Sequence, residues 1–324
     1  AAPAAAGAVQ DPAAPPAAPE DGPGGPDPAF ETLKAVLRPR SVAVVGASRD
    51  PDSIGYRILY YLIANRFNGP VYPVNPNATV VGSIPAYPSL AQIPGPVDLA
   101  VIATPRDAVL PVVDQCGRKG VRGLVIITAG FAETGPEGRR LQDEVVARAR
   151  SYGMRVIGPN CLGLINTAPD VRLNASFAPV VPPHGNISMS SQSGALGLAI
   201  LQYAAAMGLG LSTFVSVGNQ ADVSGSDLIR YWEDDPSTDL ILLYLESFGK
   251  PRQFARLARR VSRKKPILAV KAGRSPAGHR AAGSHTAALA ASDVAVGALF
   301  PPAGVIRADT PGGMFEHSAL LAHP

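Results

Sequence analysis

The chain lacks most of what would mark a disulfide-built, membrane-spanning or nucleic-acid-coating protein. It holds two cysteines, Cys116 and Cys161, in 324 residues. Two thiols make no disulfide framework, and the expectation is a protein of a reducing cytoplasm. No apolar run reaches the roughly 18 residues that a membrane helix needs, so no membrane span is expected. Aromatic residues are scarce, at 6% with a single tryptophan, and none interleaves with the one dense basic run, RLARRVSRKK (256–265). With a net charge of only +4, that run reads as the solvated face of a helix, and no nucleic-acid partner is expected. The opening AAPAAAGAVQDPAAPPAAPEDGPGGPDP has no basic n-region and no continuous apolar core, so it does not read as a signal peptide. Its Ala/Pro/Gly bias predicts a disordered tail or linker over 1–29. An initiator methionine is absent too, and the chain is expected to be a fragment or a processed form.

What is present is globular: 46% hydrophobic, 17% charged, and long enough for two domains with a core each. From Phe30 onward, short apolar runs alternate with amphipathic stretches. Strands are predicted at SVAVVGAS (41–48), PVYPVNP (70–76), VDLAVIATP (97–105), RGLVIITAG (122–130) and MRVIGPNCLG (154–163). Helices are predicted over 30–37, 54–66, 106–119 and 136–152. Near-continuous Val/Ile/Leu strands separated by helices mean a parallel sheet covered on both faces. The first domain, 30–165, is therefore doubly wound, with its ligand at the C-terminal ends of the strands.

A looser stretch (165–185) separates it from a second unit, 166–310. There strands are predicted over 186–194, 211–219, 238–249, 266–273 and 304–309, with helices over 195–208, 225–234, 251–263 and 287–299. This too is a doubly wound α/β domain. The residues 311–324 read as the start of a further segment that the chain does not finish.

Five motifs carry chemistry. VAVVGASRDPDSIG (42–55) looks like a dinucleotide fingerprint but fails as one. Only Gly46 fits G-x-G-x-x-G, with Ser48 and Pro51 at the other two positions. The second strand ends in Asn75 instead of the acidic residue that holds a ribose. That disfavours a nicotinamide cofactor and leaves either a strand–turn–helix able to take a phosphate or a plain turn that needs its glycine. GPNCLG (158–163) offers Cys161 as a nucleophile or as a pocket-lining thiol, and no histidine neighbours it in sequence. SSQSGALG (190–197) puts Ser191, Ser193 and Gly194 at a helix start, either an ordinary cap or an anion site. YLESFG (244–249) ends an apolar strand in Glu246, which either reaches solvent or orients a histidine. AAGSHTAALA (281–290) carries His285, one of five histidines.

Topology brings the loops after 190, 246 and 273 to one sheet edge. Glu246, the helix start and His285 then suit a phosphohistidine: the glutamate fixes the tautomer and the other ring nitrogen is free to attack. A metal site is not expected, because His279 and His285 stand six apart with no further ligands near in sequence.

In this order, VAVVGAS, VYPVNP, DLAVIATP, ITAGF, IGPNCLG, SMSSQSGALG, FVSVGNQADV, YLESFG, KAGRSPAG and SHTAALAASD resemble the α part of the nucleoside-diphosphate-forming acyl-CoA synthetases. That superfamily includes acetate–CoA ligase (ADP-forming) and the succinyl-CoA synthetase α subunit. The resemblance covers roughly 30–310 and implies a Rossmann-like CoA-binding domain followed by a flavodoxin-like ligase domain. It places CoA contacts at Gly46, Ala47, Ser48, Asn75, Pro76, Thr104, Pro105, Ile127 and Gly130. It places the phosphate-binding helix start at Ser191, Ser193 and Gly194, the acyl pocket near Asn160 and Cys161, the phosphorylated histidine at His285 and its supporting carboxylate at Glu246. The implied reaction is acyl-CoA + NDP + phosphate = acid + CoA + NTP, with coenzyme A or acyl-CoA, phosphate and a small carboxylic acid as ligands. A Mg-nucleotide would sit on an ATP-grasp domain or β subunit; no stretch here is one, and no G-x-x-x-x-G-K-[ST] loop occurs. An oligomer is expected. Ala287 and Ala291 depart from the glycines of many relatives, and a methyl at 287 would limit backbone approach to a phosphoryl group. The competing expectation is a non-catalytic, acyl-CoA-sensing pair of domains fused to an acetyltransferase. Retention of both His285 and Glu246 argues against it.

Overall fold

A computed structural model describes residues 28–272, 297 and 299–322 of the chain. The glycine-rich loop with His279 and His285, and most of the helix expected over 287–299 with Ala287 and Ala291, lie outside the described residues.

The first sheet is parallel, in the order β2-β1-β5-β6-β7, from β1 (Val42–Val45), β2 (Val71–Val74), β5 (Leu99–Ile102), β6 (Gly123–Ile126) and β7 (Arg155–Ile157). A small hairpin, β3 (Val80–Val81) and β4 (Ile84–Pro85), interrupts the path from β2 to β5. Strands such as VAVV and LAVI are apolar at every position because both faces are covered. Val42 and Val44 point into one core, Ala43 and Val45 into the other. Leu33, Val36 and Leu37 of α1 (Pro28–Leu37) and Ile58, Leu59 and Leu62 of α2 (Ile54–Ala64) fill the first. Val109, Val113 and Cys116 of α3 (Arg106–Lys119) and Val145 and Ala149 of α4 (Pro136–Ser151) fill the second.

The second sheet has seven strands, ordered β14-β13-β12-β10-β11-β8-β9. Its parallel part is β10 (His184–Ser191), β11 (Leu211–Ser216), β12 (Leu240–Leu245), β13 (Ile267–Lys271) and β14 (Val305–Ala308). Helices α5 (Gly194–Ala206), α6 (Gly225–Asp234), α7 (Pro251–Val261) and α8 (Pro311–Ala322) cover it. Two features differ from the sequence expectation. β8 (Gly163–Asn166), which overlaps the start of the stretch read as loose, and β9 (Leu173–Ser176) within it extend the sheet, β8 antiparallel to β11 and β9 antiparallel to β8, so the sheet is mixed. The residues read as the opening of a further segment form α8, whose Met314 and Phe315 are buried in the core beneath α5.

One apolar cluster runs without a break from the α1/α2 face of the first sheet to the α6/α7 face of the second, through Leu164, Ala175 and Trp232. The rings of Phe30 and Tyr231 stack across that junction at 4.7 Å. The loop after β11 seals it further. Asn219, Ala221 and Val223 donate backbone N–H bonds to Pro159, Gly158 and Val156, running along the free edge of β7. Asp222, with only 1% of its side chain exposed, accepts from Arg150, Arg155 and the backbone of Val156.

Candidate functional site

The parallel part of each sheet reverses its winding once, between β1 and β5 in the first and between β10 and β12 in the second. Loops diverge at such points and leave a crevice. Here both crevices open onto one cavity of about 830 Å³, within the size range of small-molecule sites.

On the first-domain side, Gly46 takes φ +91°, and a Cβ there would stand 2.7 Å from the Ala103 carbonyl oxygen. The β1 and β5 loops therefore touch, which requires glycine. Asn75 donates from its side chain to the Ala47 carbonyl at 2.6 Å, tying the β2 end to the β1 end. Thr128 donates to the Thr104 carbonyl at 2.7 Å, which aligns the β5 and β6 loops in the cavity wall. The Thr104 hydroxyl oxygen is itself buried and has no partner among the described residues. A buried hydroxyl without a partner costs about 1–3 kcal/mol, so a ligand that bonds it gains that back.

On the second-domain side, Ser193 caps α5, accepting from the Leu196 N–H at 3.4 Å. Gly194 and Ala195 face the cavity from the first turn, where unpaired N–H groups and the helix dipole favour negative charge. Gln192, the residue before the cap, is 6% exposed and bridges the reversal. Its side-chain oxygen accepts from the Glu246 and Ser247 N–H groups at 2.7 and 2.8 Å, and its amide donates to the Ser247 carbonyl at 2.7 Å. The turn that carries Glu246 into the cavity is thus fastened to the start of α5. Burial pushes the neighbouring Tyr244 phenol up, and the Glu246 charge adds to the rise.

Of the residues singled out in the sequence, Thr104, Ile127, Asn160, Cys161, Ser193, Gly194 and Glu246 line this one cavity. Gly46, Ala47, Ser48, Asn75, Pro76, Pro105 and Gly130 are not among its lining residues; they shape or flank the loops around it. Ser191 faces inward, fully buried, and spends its hydroxyl on the Ser193 carbonyl at 2.8 Å. His285 lies outside the described residues; β13, the last described strand before it, ends beside β12, and Ala272 lines the cavity. Among the described residues, no group of three or more His, Cys, Asp or Glu side chains stands together to hold a metal, and no helix is long and apolar enough to cross a membrane.

Cys161 sits in the wall with its sulfur 3.3 Å from the Ile126 carbonyl, and burial pushes its thiol to about 12. At neutral pH it is a neutral, buried thiol, which favours the pocket-lining reading over the nucleophile. Cys116 is likewise buried and raised to about 12. Both cysteines are expected to resist iodoacetamide at pH 8 in the folded protein and to react fully in denaturant. Rapid alkylation of Cys161 in the native state, read by mass spectrometry, would overturn that reading.

Two polar groups escaped the sequence reading. Gln192 stood between two serines that drew attention as caps. The Glu133–Asn219–Gln142 cluster joins the domains behind the cavity wall, which Asn219 lines. Asn219 donates to Glu133 and to Gln142, while Glu133 accepts from the Gly130 and Phe131 backbones. Burial raises the Glu133 carboxyl, but the donors around it outweigh that and hold it below its usual value. Glycine at 218 is forced here, since a Cβ would stand 2.3 Å from the Pro159 carbonyl oxygen.

Fold and cavity together define a class: a pair of doubly wound domains that share one cavity across two joined winding reversals. Comparison with known proteins narrows it. Residues 40–167 match the CoA binding domain family, and residues 184–321 match the succinyl-CoA ligase like flavodoxin domain. Acetate–CoA ligase [ADP-forming] of Methanocaldococcus jannaschii is 45% identical over 291 residues, covering 90% of this chain and 40% of the relative. Acetate–CoA ligase [ADP-forming] I subunit alpha of Pyrococcus furiosus is 43% identical over 296 residues, covering 90% and 64%. A solved structure of the Ca. Korarchaeum cryptofilum dinucleotide-forming acetyl-coenzyme A synthetase 1, in complex with phosphate and ADP, superposes with a TM-score of 0.84 at 44% identity, covering 90% of this chain and 63% of that one. The chain belongs to the NDP-forming acyl-CoA synthetase family, of which it carries the CoA-binding and flavodoxin-like ligase domains. It spans between two fifths and just under two thirds of the length of these relatives.

Proposed function

We propose that the chain is the CoA-binding and phosphohistidine part of an ADP-forming acyl-CoA synthetase. The observation that carries this reading is the single cavity, walled by Thr104 and Ile127 on one side and by the α5 start and Glu246 on the other. Acyl-CoA lies across the first sheet's reversal, its nucleotide on the loops at Gly46–Ser48, Asn75–Pro76, Thr104–Pro105 and Ile127–Gly130. Its thioester reaches Asn160 and Cys161. Phosphate sits at the first turn of α5, at Ser193 and Gly194, where the helix dipole stabilises its charge. Phosphate attacks the thioester carbonyl, the C–S bond breaks, and CoA leaves as the thiol. His285, held by Glu246, takes the phosphoryl group and frees the acid. Positioning and charge stabilisation supply most of the acceleration in such transfers.

An ATP-grasp domain or β subunit supplies the Mg-nucleotide that receives the phosphate. The P. furiosus relative is named a subunit alpha, which supports a partner of this kind. A small carboxylic acid is the released product.

The test uses labelled phosphate. With acetyl-CoA, phosphate and a matching ATP-grasp partner, the chain is expected to acquire acid-labile label, and His285→Ala to abolish it. Equal labelling of His285→Ala would sink the mechanism. Binding of NADH in place of CoA would sink the CoA assignment.

A further inference from the structure

A second, smaller cavity of about 140 Å³ opens at the far end of β10. It is lined by His184, which begins β10, by Thr167 just after β8, by Arg172 and Asn174 at the start of β9, and by Asn65 at the end of α2. His184 and Gln192 stand at opposite ends of β10, roughly 25 Å apart at about 3.3 Å per residue. The small cavity is therefore separate from the site described above. It lies where α2 of the first domain meets the two antiparallel strands of the second sheet.

Its polar groups divide into those spent on the fold and those left over. The Asn65 amide donates to the Tyr61 carbonyl and the Asn174 amide to the Ala178 carbonyl. Arg172 is exposed and has no ion-pair partner among the described residues. Asp170, two residues before it, is taken by Arg38 at 2.5 Å. Arg66, next to Asn65, adds a further cation without an ion pair among the described residues. None of the residues lining the cavity is acidic. Arg172 also holds φ +54°, a conformation uncommon outside glycine. Its N–H donates to the Ala168 carbonyl at 2.9 Å, which fixes that turn.

The state of His184 follows from its neighbour. Thr167 has one hydroxyl proton, and it goes to the Leu211 carbonyl at 2.5 Å. Toward Nδ1 of His184, 3.0 Å away, the Thr167 oxygen can then only accept, so Nδ1 carries a hydrogen. A neutral ring is left with a lone pair at Nε2. The imidazolium has a second N–H there, free to bond an anion. A guanidinium fork and an imidazolium match the oxygens of a doubly charged anion. The volume is well below the roughly 300 Å³ at which sites for whole small molecules begin, and it suits a single tetrahedral group.

We infer that this cavity binds a tetrahedral oxyanion of phosphate type, held between the Arg172 guanidinium and the His184 imidazolium. The test is modification of His184 by diethyl pyrocarbonate on the full chain, read by peptide mapping in a mass spectrometer. The readout is local to His184, so phosphate at the start of α5 does not enter it. Phosphate and sulfate are expected to slow the reaction about tenfold, saturating in the millimolar range, relative to chloride at equal ionic strength. Acetate, with one charge, is expected to protect far less. His317, exposed on α8, serves as the reference and should keep its rate. Arg172→Asn retains a residue that tolerates the left-handed backbone. It should leave the unprotected rate unchanged and abolish the protection, and Arg172→Lys should restore part of it. Protection by phosphate but not by glycerol phosphate assigns the site to the free ion; equal protection by both assigns it to the phosphate end of a larger molecule. Equal protection by chloride or acetate, equal slowing at His317, or full protection in Arg172→Asn overturns the inference.

Discussion

Replacing Asp222 by alanine is expected to destabilise the protein by about 3–5 kcal/mol, the loss typical when one partner of a buried ion pair is removed. The carboxylate accepts from Arg150 at 2.6 Å and from Arg155 and the Val156 N–H at 2.9 and 2.8 Å. Arg155 has 17% of its side chain exposed, so it cannot recover full hydration when its partner leaves. Its other carboxylate, Asp227, lies 3.6 Å away and compensates weakly. Arg150 is 59% exposed and contributes little of the loss. The donors belong to α4 and β7 and the acceptor to the loop after β11, so the penalty falls on the junction between the sheets. Urea titration would register a lower midpoint with an unchanged slope. Asp222→Asn keeps the shape and one of the two acceptor oxygens and should lose about half as much. A loss under about 0.5 kcal/mol for the alanine variant would mean that the junction does not depend on this cluster.

The second large effect is expected at Gln192. Gln192→Leu removes three hydrogen bonds that fasten the Glu246 turn to the start of α5. A shift of about 1 Å in a positioned group lowers rates by about a hundredfold. On the proposed mechanism, phosphohistidine formation from acyl-CoA and phosphate should fall by about that factor in kcat, with KM for acyl-CoA little changed, since the loops proposed to hold CoA lie across the cavity. Gln192→Glu keeps an acceptor for the two N–H groups but loses the amide donor and faces Glu246 with like charge. It should recover part of the rate, with the recovery greatest at low pH, where the new carboxyl is protonated and can donate. A fall in CoA affinity at constant kcat would assign Gln192 to substrate binding instead of to Glu246.

These two residues mark where the sequence was hard to read. The buried strands VAVV, LAVI and GLVI announce themselves because both faces meet apolar helices, so every position must be hydrophobic. β8 and β9 do not, because GLIN and LNAS bury polar groups that find partners only in the fold. Asn166 donates to the Leu37 carbonyl at the end of α1, and Ser176 bonds Asn174 within its own strand. The seam of α8 is similarly quiet: PGGMFEHSALLA has two glycines and no charged stripe, yet Met314 and Phe315 are fully buried. At the site, glycine and serine at strand ends were visible because turn and cap chemistry is local. Gln192, Asn219 and Glu133 were not, because an amide that bonds a loop 50 or more residues away looks like any other amide in the sequence.

The strip of backbone bonds from 219–223 onto the rim of β7 bears on how such proteins can be taken apart or recombined. A chimera that joins the first half of one relative to the second half of another at the 165–185 stretch would separate β7 from the segment that matches its bond pattern and side-chain anchors. The first half expressed alone would present a bare strand rim, which other copies can extend. The unit of exchange is therefore β7 together with its guard loop. Its seam lies in three dimensions, between segments that are some 60 positions apart in the chain.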